Sequence, residues 1–565
     1  MEITLNLNDL SQINWIPQIK EYLVINKENK KCFLIKPNCR HENTNFPALK
    51  KGDFCLKCPK HGWKLNLLKG IYENPHGLRH PDSKYNAIIE KSKVKIRERK
   101  VLKRLDREKW IKNKNINEKA IDLKISFVNH ACLLIKTDSL SLVTDPWIIG
   151  SAFSTGWFLT YKTKKKDIKK IINSEFVFIS HSHPDHLNPN SLIWLKNKNW
   201  NPTFIIPKFK KSDITKDLLI SIGFSKFIEL GYGDRVELKE NSNFIVQLIF
   251  DQSGRNDSGI FISYKNKKIV NLVDIPSPDI DGLEDVDLAL LPFANGASGY
   301  PICWPEKINK KELSNFMKTS NLNALKVFYQ RLEKIRAKYT VPFAGFFCSP
   351  LLEDEFIQKG NIINYPEDVI DFAKNSNKKY IINPLYGLQY NPIEESFSSS
   401  FKTKVKLNTL NDNHIKLRNI LLERYNDFSK KELISFLEAQ EFKDNLHCSI
   451  IATDLEFKRN YFNLYWNFKT NKQISKKNFI DSYKSSDVRS LKIFIRNYSL
   501  GYTIRNSLPW EEFSIGFQAR FIRNPDVYNF KFWDYFQNRY KHINPILGDY
   551  MNLWKSSAYM QRFFD

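Results

Sequence analysis

The stretch EFVFISHSHPDH, residues 175–186, decides the fold. EFVFIS is a short, continuous apolar run, as expected of a strand covered on both faces. Directly behind it, HSHPDH places His181, His183, Asp185 and His186 within six positions. Two histidines two apart on a loop leaving a strand can approach one ion together. Asp185 and His186 then turn back toward the same cavity and can serve a second position. The plainer reading, a loop of satisfied polar residues, fits poorly with four ligand-type residues crowded together in a chain of only 11 histidines.

Working outward, residues 121–395 alternate short strands with helical stretches: LKISFVN, CLLIK, SLVTD, TFIIP, VQLIF, GIFISY, KIVNLVD and VDLALLP. This is the pattern of an α/β sandwich. His130 lies in VNHACLLI, Asp145 in LVTDPW, and Asp274 closes NLVD. With HSHPDH these pieces resemble the metallo-β-lactamase fold, an αββα sandwich. The resemblance implies that Asp274 is the later metal-binding aspartate. It also departs from the hydrolytic pattern, because no histidine occurs between His186 and His414. Where two further histidine ligands are expected, the chain reads DQSGRND (251–257) and VPFAGFFCSP (341–350). His181, His183, His186, Asp185 and Asp274 remain. Two histidines and a carboxylate with open positions suit an oxygen-activating iron; which two histidines serve is left open.

A second ligand set stands near the start. Cys39 and His41, then Cys58 and His61 in CPKHGWKL, read C-x-H-x16-C-x2-H. Zinc accepts two thiolates and two imidazoles, and Cys55 makes a C-x2-C with Cys58. Zinc fingers, however, pair Cys with Cys and His with His in sequence. Here each loop brings one of each, the order of a Rieske [2Fe–2S] cluster with two thiolates on one iron and two imidazoles on the other. Residues 1–85 alternate short apolar runs with polar turns, so a small all-β Rieske domain is expected there.

The formal charge of +27 is partly local: residues 91–115 hold twelve Lys or Arg against three acids. A solvated basic helical linker over 86–120 is the bland reading, and nucleic-acid binding the sharper one. Beyond 395, IKLRNILLERYNDF and KKELISFLEAQEF read as amphipathic helices, giving a mostly helical C-terminal region over 396–565 that completes the catalytic unit. The sequence shows no 18-residue apolar run, no signal-like start and no glycine-rich nucleotide fingerprint, and its eight cysteines do not suggest a disulfide framework. The expected chain is soluble, cytoplasmic and reduced, without a membrane span.

CPKHGWKL, FVNHACLLI, DPWIIGSAFSTGWFL, ISHSHPDHL, FANGASGYP, VPFAGFF and the C-terminal LPWEEFSIGFQARFIRNPDVYNFKFWDYFQ together resemble the CMP-N-acetylneuraminate hydroxylase family. The likeness covers about 30–395 and resumes near 505–540. It implies a Rieske-type, iron-dependent monooxygenase that converts the N-acetyl group of a CMP-sialic acid, or a related nucleotide-activated N-acyl sugar, to N-glycolyl. O2 is consumed, with electrons from a cytochrome b5-like carrier or ferredoxin and its reductase. By this resemblance Cys39, His41, Cys58 and His61 hold the cluster. His181, His183, Asp185, His186 and Asp274 hold mononuclear or dinuclear iron, with zinc as the alternative, and His130 stands close by. Lys162, Lys164, Lys165, Lys166, Arg520 and Arg523 are candidates for contacts to the anionic substrate, although surface charges are usually solvated. The competing class is a metal-dependent phosphodiesterase or nuclease with a structural Cys2His2 zinc site. A non-enzymatic nucleic-acid binder ranks last, since it leaves HSHPDH and Asp274 unexplained.

Overall fold

A computed structural model describes residues 2–26, 31–39, 45–50, 52–59, 63–74, 80, 83, 85–98, 123–209, 214–253, 255–294, 299–304, 310–349, 351–354, 364–373, 381–384, 388–392, 395–399, 412–485, 488–506 and 508–537. The chain divides into two compact units: residues 1–114 with 251–255 and 526–534, and the remainder. No helix among the described residues is long and apolar enough to cross a membrane.

Among the described residues of the first unit, those of 2–98 form three three-stranded sheets. Its central strand, Glu21–Asn26, is buried along nearly its whole length. Alternate side chains explain this: Tyr22 and Val24 enter one apolar cluster, Leu23 and Ile25 another. Cys39 and Cys58 lie buried in the first cluster with Leu65 and Tyr72. The basic stretch expected to be a helical linker begins instead as a hairpin, Tyr85–Glu90 with Lys93–Glu98, paired to Glu2–Asn6. Its lysines and arginines alternate with Val94 and Ile96, which are fully buried, so the period is two rather than 3.6. Residues 99–120, the rest of that linker, lie outside the described residues.

The second unit contains the sandwich. One sheet has eight strands in the order Phe227–Leu230, Thr203–Pro207, Phe176–Phe178, Ser141–Thr144, Cys132–Thr137, Leu123–Asn129, Leu388–Asn391 and Ser396–Ser399. The other has six, from Arg235–Glu237 through Phe244–Phe250, Ser258–Tyr264, Lys267–Asn271 and Leu288–Pro292 to Tyr339–Phe343. Ile125, Leu133, Ile135 and Phe178 from the first sheet meet Val246, Leu248, Ile260 and Ile262 from the second in one core. Val128, Leu134 and Val177 point the other way, into a layer shared with helices Pro189–Lys196 and Ile214–Ile222. Strand residues buried on both faces account for the continuous apolar runs.

Among its described residues, the C-terminal region adds to the expected helices a sheet that was not expected. Leu446–Thr453, Asn460–Asn467, Lys472–Gln473, Arg489–Arg496 and Ala519–Asn524 form a five-stranded mixed sheet. Helices Asp412–Tyr425 and Lys430–Glu438 precede it as expected, the second closed by a capping box between Ser429 and Glu432. Stretches such as RSLKIFIR carry β-branched and aromatic residues at period two, which outweighs the helical character of their neighbours.

Candidate metal centre

The HSHPDH loop leaves the end of Phe176–Phe178 in the middle of the first sheet. Its histidines are held from behind by Asp145, which is fully buried and sits at a left-handed φ of 35°. The Ser180 backbone N–H donates to Asp145 Oδ1 at 2.8 Å and its hydroxyl to Oδ2 at 2.7 Å. With that hydroxyl proton committed, Ser180 Oγ accepts from His181 Nδ1 at 2.9 Å. His186 Nδ1 donates to Asp145 Oδ2 at 3.0 Å. One carboxylate thus sets two tautomers: the His181 Nε2 lone pair accepts from His183 Nδ1 at 2.9 Å, and that of His186 Nε2 has no hydrogen-bond partner. From the second sheet, Ser258 Oγ donates to the Ser180 carbonyl at 2.6 Å and ties the loop down.

Two triads result, each with ligand atoms within 4.8 Å of one another: His130, Asp185 and His186, all buried; and His181, His183 and Asp274, partly open. His186 Nε2 joins them, 3.4 Å from Asp185 Oδ2 and 3.5 Å from Asp274 Oδ2. Asp185 Oδ1, His186 Nε2 and Asp274 Oδ1 are buried atoms with no hydrogen-bond partner. Orphaned donors and acceptors of this kind need an explanation, and an ion among them supplies it. Asp274 follows Val273, a β-branched residue at φ 54°, a strained conformation of the sort that collects at functional sites.

His130 behaves differently. Its Nδ1 accepts the Phe346 N–H at 3.2 Å, so the neutral ring carries its proton on Nε2 and donates to Asp185 Oδ2 at 3.1 Å. That makes it an orienting partner of Asp185 rather than a lone-pair donor. VPFAGFF, which lacks the expected histidine, therefore contributes a backbone N–H that fixes His130. The electrostatics agree with a metal-binding pocket. Burial pushes the His183 imidazole down to about 4, helped by the charge of His181. Burial alone would raise Asp185 and Asp274, but the neighbouring imidazoles overrule it and hold both carboxyls below the usual range. Burial opposes charge on His186, yet Asp185, Asp274 and Asp145 together raise it. Asp257, from the other histidine-free stretch, is buried and its charge reaches His183.

The segment Leu508–Gln518 packs directly behind this pocket, an arrangement with no signal in local spacing. A Cβ on Gly516 would lie 2.0 Å from the Phe153 carbonyl, and one on Gly156 2.1 Å from the Gly516 carbonyl. Only glycine permits such an approach. Phe153 in turn sets its ring 5.7 Å from that of His183. Of the proposed substrate-contacting cations, Arg520 lines a cavity of about 480 Å³ with Glu353, Phe457 and Arg496, and Arg523 stands over Trp304. Lys164 precedes helix Lys165–Ile172, its ammonium lowered by burial and then by Lys166.

In the first unit, Cys39 and Cys58 are each 1% exposed, and Tyr72 Oη donates to Cys39 Sγ at 3.9 Å. Cys55 stands apart, its thiol donating to Glu73 and raised by burial. His41 and His61 lie outside the described residues. All eight cysteines are described, and none forms a disulfide.

Sandwich and ligand loop together define a β-lactamase-superfamily domain with a clustered histidine–carboxylate centre, and the β-lactamase superfamily domain is matched over residues 124–246. Over nearly its whole length the chain is, further, similar to proteins named cytidine monophosphate-N-acetylneuraminic acid hydroxylase. The Asterias rubens protein is 24% identical over 561 residues, spanning 93% of this chain and 82% of that one. The Xenopus laevis protein is 24% identical over 542 residues, spanning 91% and 90%. Among solved structures, the diiron β-hydroxylase CmlA from Streptomyces venezuelae matches 46% of this chain and 53% of its own at 11% identity, with a TM-score of 0.31.

Proposed function

We propose that this chain is an O2-dependent hydroxylase that converts the N-acetyl group of CMP-N-acetylneuraminate, or a related nucleotide-activated N-acyl sugar, to N-glycolyl. The observation that carries this reading is the full-length likeness to proteins named for that hydroxylation. The donor chemistry of the centre fits iron. His181 and His186 through Nε2, with His183, Asp185 and Asp274, would hold it, and His130 and Asp145 would keep those ligands in place. Iron bound there supplies the redox chemistry by which O2 is reduced and an acetyl C–H bond oxidised.

The protein's own part is to position and to exclude water. Asp145 and Ser180 fix the tautomers of His181 and His186 ahead of any ion. Asp185 and His186 are sealed, whereas His183 and Asp274 are partly open, so small molecules approach from their side. Phe153 and Phe347 are buried beside the histidines and keep that wall apolar. In the first unit, Cys39 and Cys58 with His41 and His61 would hold a [2Fe–2S] cluster that relays single electrons from a cytochrome b5-like or ferredoxin-like carrier. Burial of both thiols in one apolar cluster supports this pairing over a Cys55–Cys58 zinc clip. Net balance requires the acetyl group, O2, two electrons and two protons to give the glycolyl group and water.

The test is an anaerobic preparation reduced with dithionite, examined by electron paramagnetic resonance with iron and zinc quantified. A Rieske-type signal with iron beyond two per chain is expected. Zinc at both places and no signal would instead favour a metal-dependent phosphodiesterase.

A further inference from the structure

Hydroxylation consumes two protons. The proton on His181 Nδ1 is committed to Ser180, and that on His130 Nε2 to Asp185. Glu512 is different. It is 3% exposed, and its Oε2 accepts the Ser154 N–H at 2.8 Å, with the Ser154 hydroxyl at 3.4 Å. Its Oε1 is buried with no hydrogen-bond partner. Burial raises its carboxyl to about 8; Ser154 opposes that, while the charges of Asp185 and Glu511 add to it. At neutral pH the group therefore holds a proton, and Oε1 is the oxygen left to carry it.

The surrounding backbone is built to keep it there. Phe153, Ser154 and Thr155 are consecutive left-handed residues, at φ 49°, 49° and 72°. Three in a row are strained and persist only where packing imposes them. The packing here is the glycine contact between Gly516 and Phe153. Strain and close approach together bring the Ser154 N–H onto Glu512. The Ser154 hydroxyl also meets Thr503 Oγ1 at 2.7 Å, and Thr155 Oγ1 donates to Tyr498 Oη at 3.0 Å, so buried hydroxyls adjoin the acid.

We propose that Glu512 is a proton-holding residue of the oxidative centre, brought by the C-terminal segment to supply a proton that the reduction of O2 consumes. The inference rests on the hydroxylase reading. Per turnover, the acetyl C–H bond and one O–O bond break while a C–O bond and the O–H bonds of product and water form. Two electrons come from the external carrier. Glu512 gives up one of the two protons and solvent the other; Glu512 is left as a carboxylate and is reprotonated from solvent before the next cycle.

The test uses full-length, iron-loaded protein with CMP-N-acetylneuraminate, O2 and a reductase system, comparing wild type with Glu512→Gln and Glu512→Asp. Glutamine keeps the shape and the bond from Ser154 but carries no acidic proton. The expected result for Glu512→Gln is unchanged iron content and substrate KM, with product per O2 consumed at least tenfold lower and hydrogen peroxide in its place. Glu512→Asp should recover part of the coupling. Unchanged coupling in Glu512→Gln would overturn the inference, as would loss of iron along with activity. An infrared measurement on the wild type stands even if the variants fail to fold: a buried carboxylic-acid C=O band at neutral pH is expected, and its absence would refute the proposal. Wild-type protein that yields no hydroxylated product would strike the underlying reading instead, and this inference with it.

Discussion

The HSHPDH loop and the Leu508–Gln518 segment serve the same pocket by opposite means. The loop concentrates four ligand-type side chains in six residues, and its chemistry is local. The C-terminal segment contributes no ligand to either triad. It acts through a glycine contact and one buried acid, more than three hundred residues away along the chain. Ligands therefore announce themselves by spacing, whereas the groups that hold them do so only once the chain is folded.

Removing a ligand should give the largest effect. His183 is partly exposed and packs mainly on Phe153 and His181, so His183→Ala should leave the fold intact. Iron affinity should fall by more than the roughly 100-fold typical of losing an outer partner, and turnover should cease. Metal analysis beside a thermal melt checks both halves. Next comes the buried pair behind the C-terminal sheet, where Arg496 grips Asp354 through two bonds of 2.6 and 2.8 Å. Asp354→Ala strands a buried guanidinium and should cost about 3–5 kcal/mol, read by denaturant unfolding. A stability loss under 1 kcal/mol there would mean that water reaches Arg496.

Gly516→Ala tests the segment itself. The added methyl would meet the Phe153 carbonyl, so a destabilisation of about 3 kcal/mol is expected, with weakened coupling of O2 to product but bound iron retained. Loss of iron would show that the segment builds the ligand set rather than backing it. Smaller again, Asp145→Asn disturbs two tautomers without removing a ligand and should lower metal affinity about 10–100-fold by titration. The exposed pair Arg336–Asp285 gives the baseline: Arg336→Ala should leave the denaturant-unfolding midpoint essentially unmoved.

The same contrast explains what could be read in advance. The sandwich was legible because strands buried on both faces are continuous apolar runs, and the ligands because they follow one. The hairpin Tyr85–Glu90 with Lys93–Glu98 was obscured by its charge: lysine and arginine at alternate positions look like a solvated helix unless Val94 and Ile96 are counted at period two. The five-stranded sheet was missed because amphipathic helices flank it, and a strand such as NYFNLYWN mixes asparagine with aromatics on both faces. His130 was visible beside the centre, but its orienting role depends on the Phe346 N–H, 216 residues on. Glu512 sits in a motif noted for resemblance alone, and only packing shows why that motif is there.

The central claim is that this centre inserts oxygen from O2 into an N-acyl group. The most direct measurement supplies iron-loaded protein with CMP-N-acetylneuraminate, a reductase system and isotopically labelled O2, and reads the sugar product by mass spectrometry. An N-glycolyl product carrying one labelled oxygen is expected. Product oxygen drawn from water, or release of CMP with the N-acetyl group untouched, would contradict that claim.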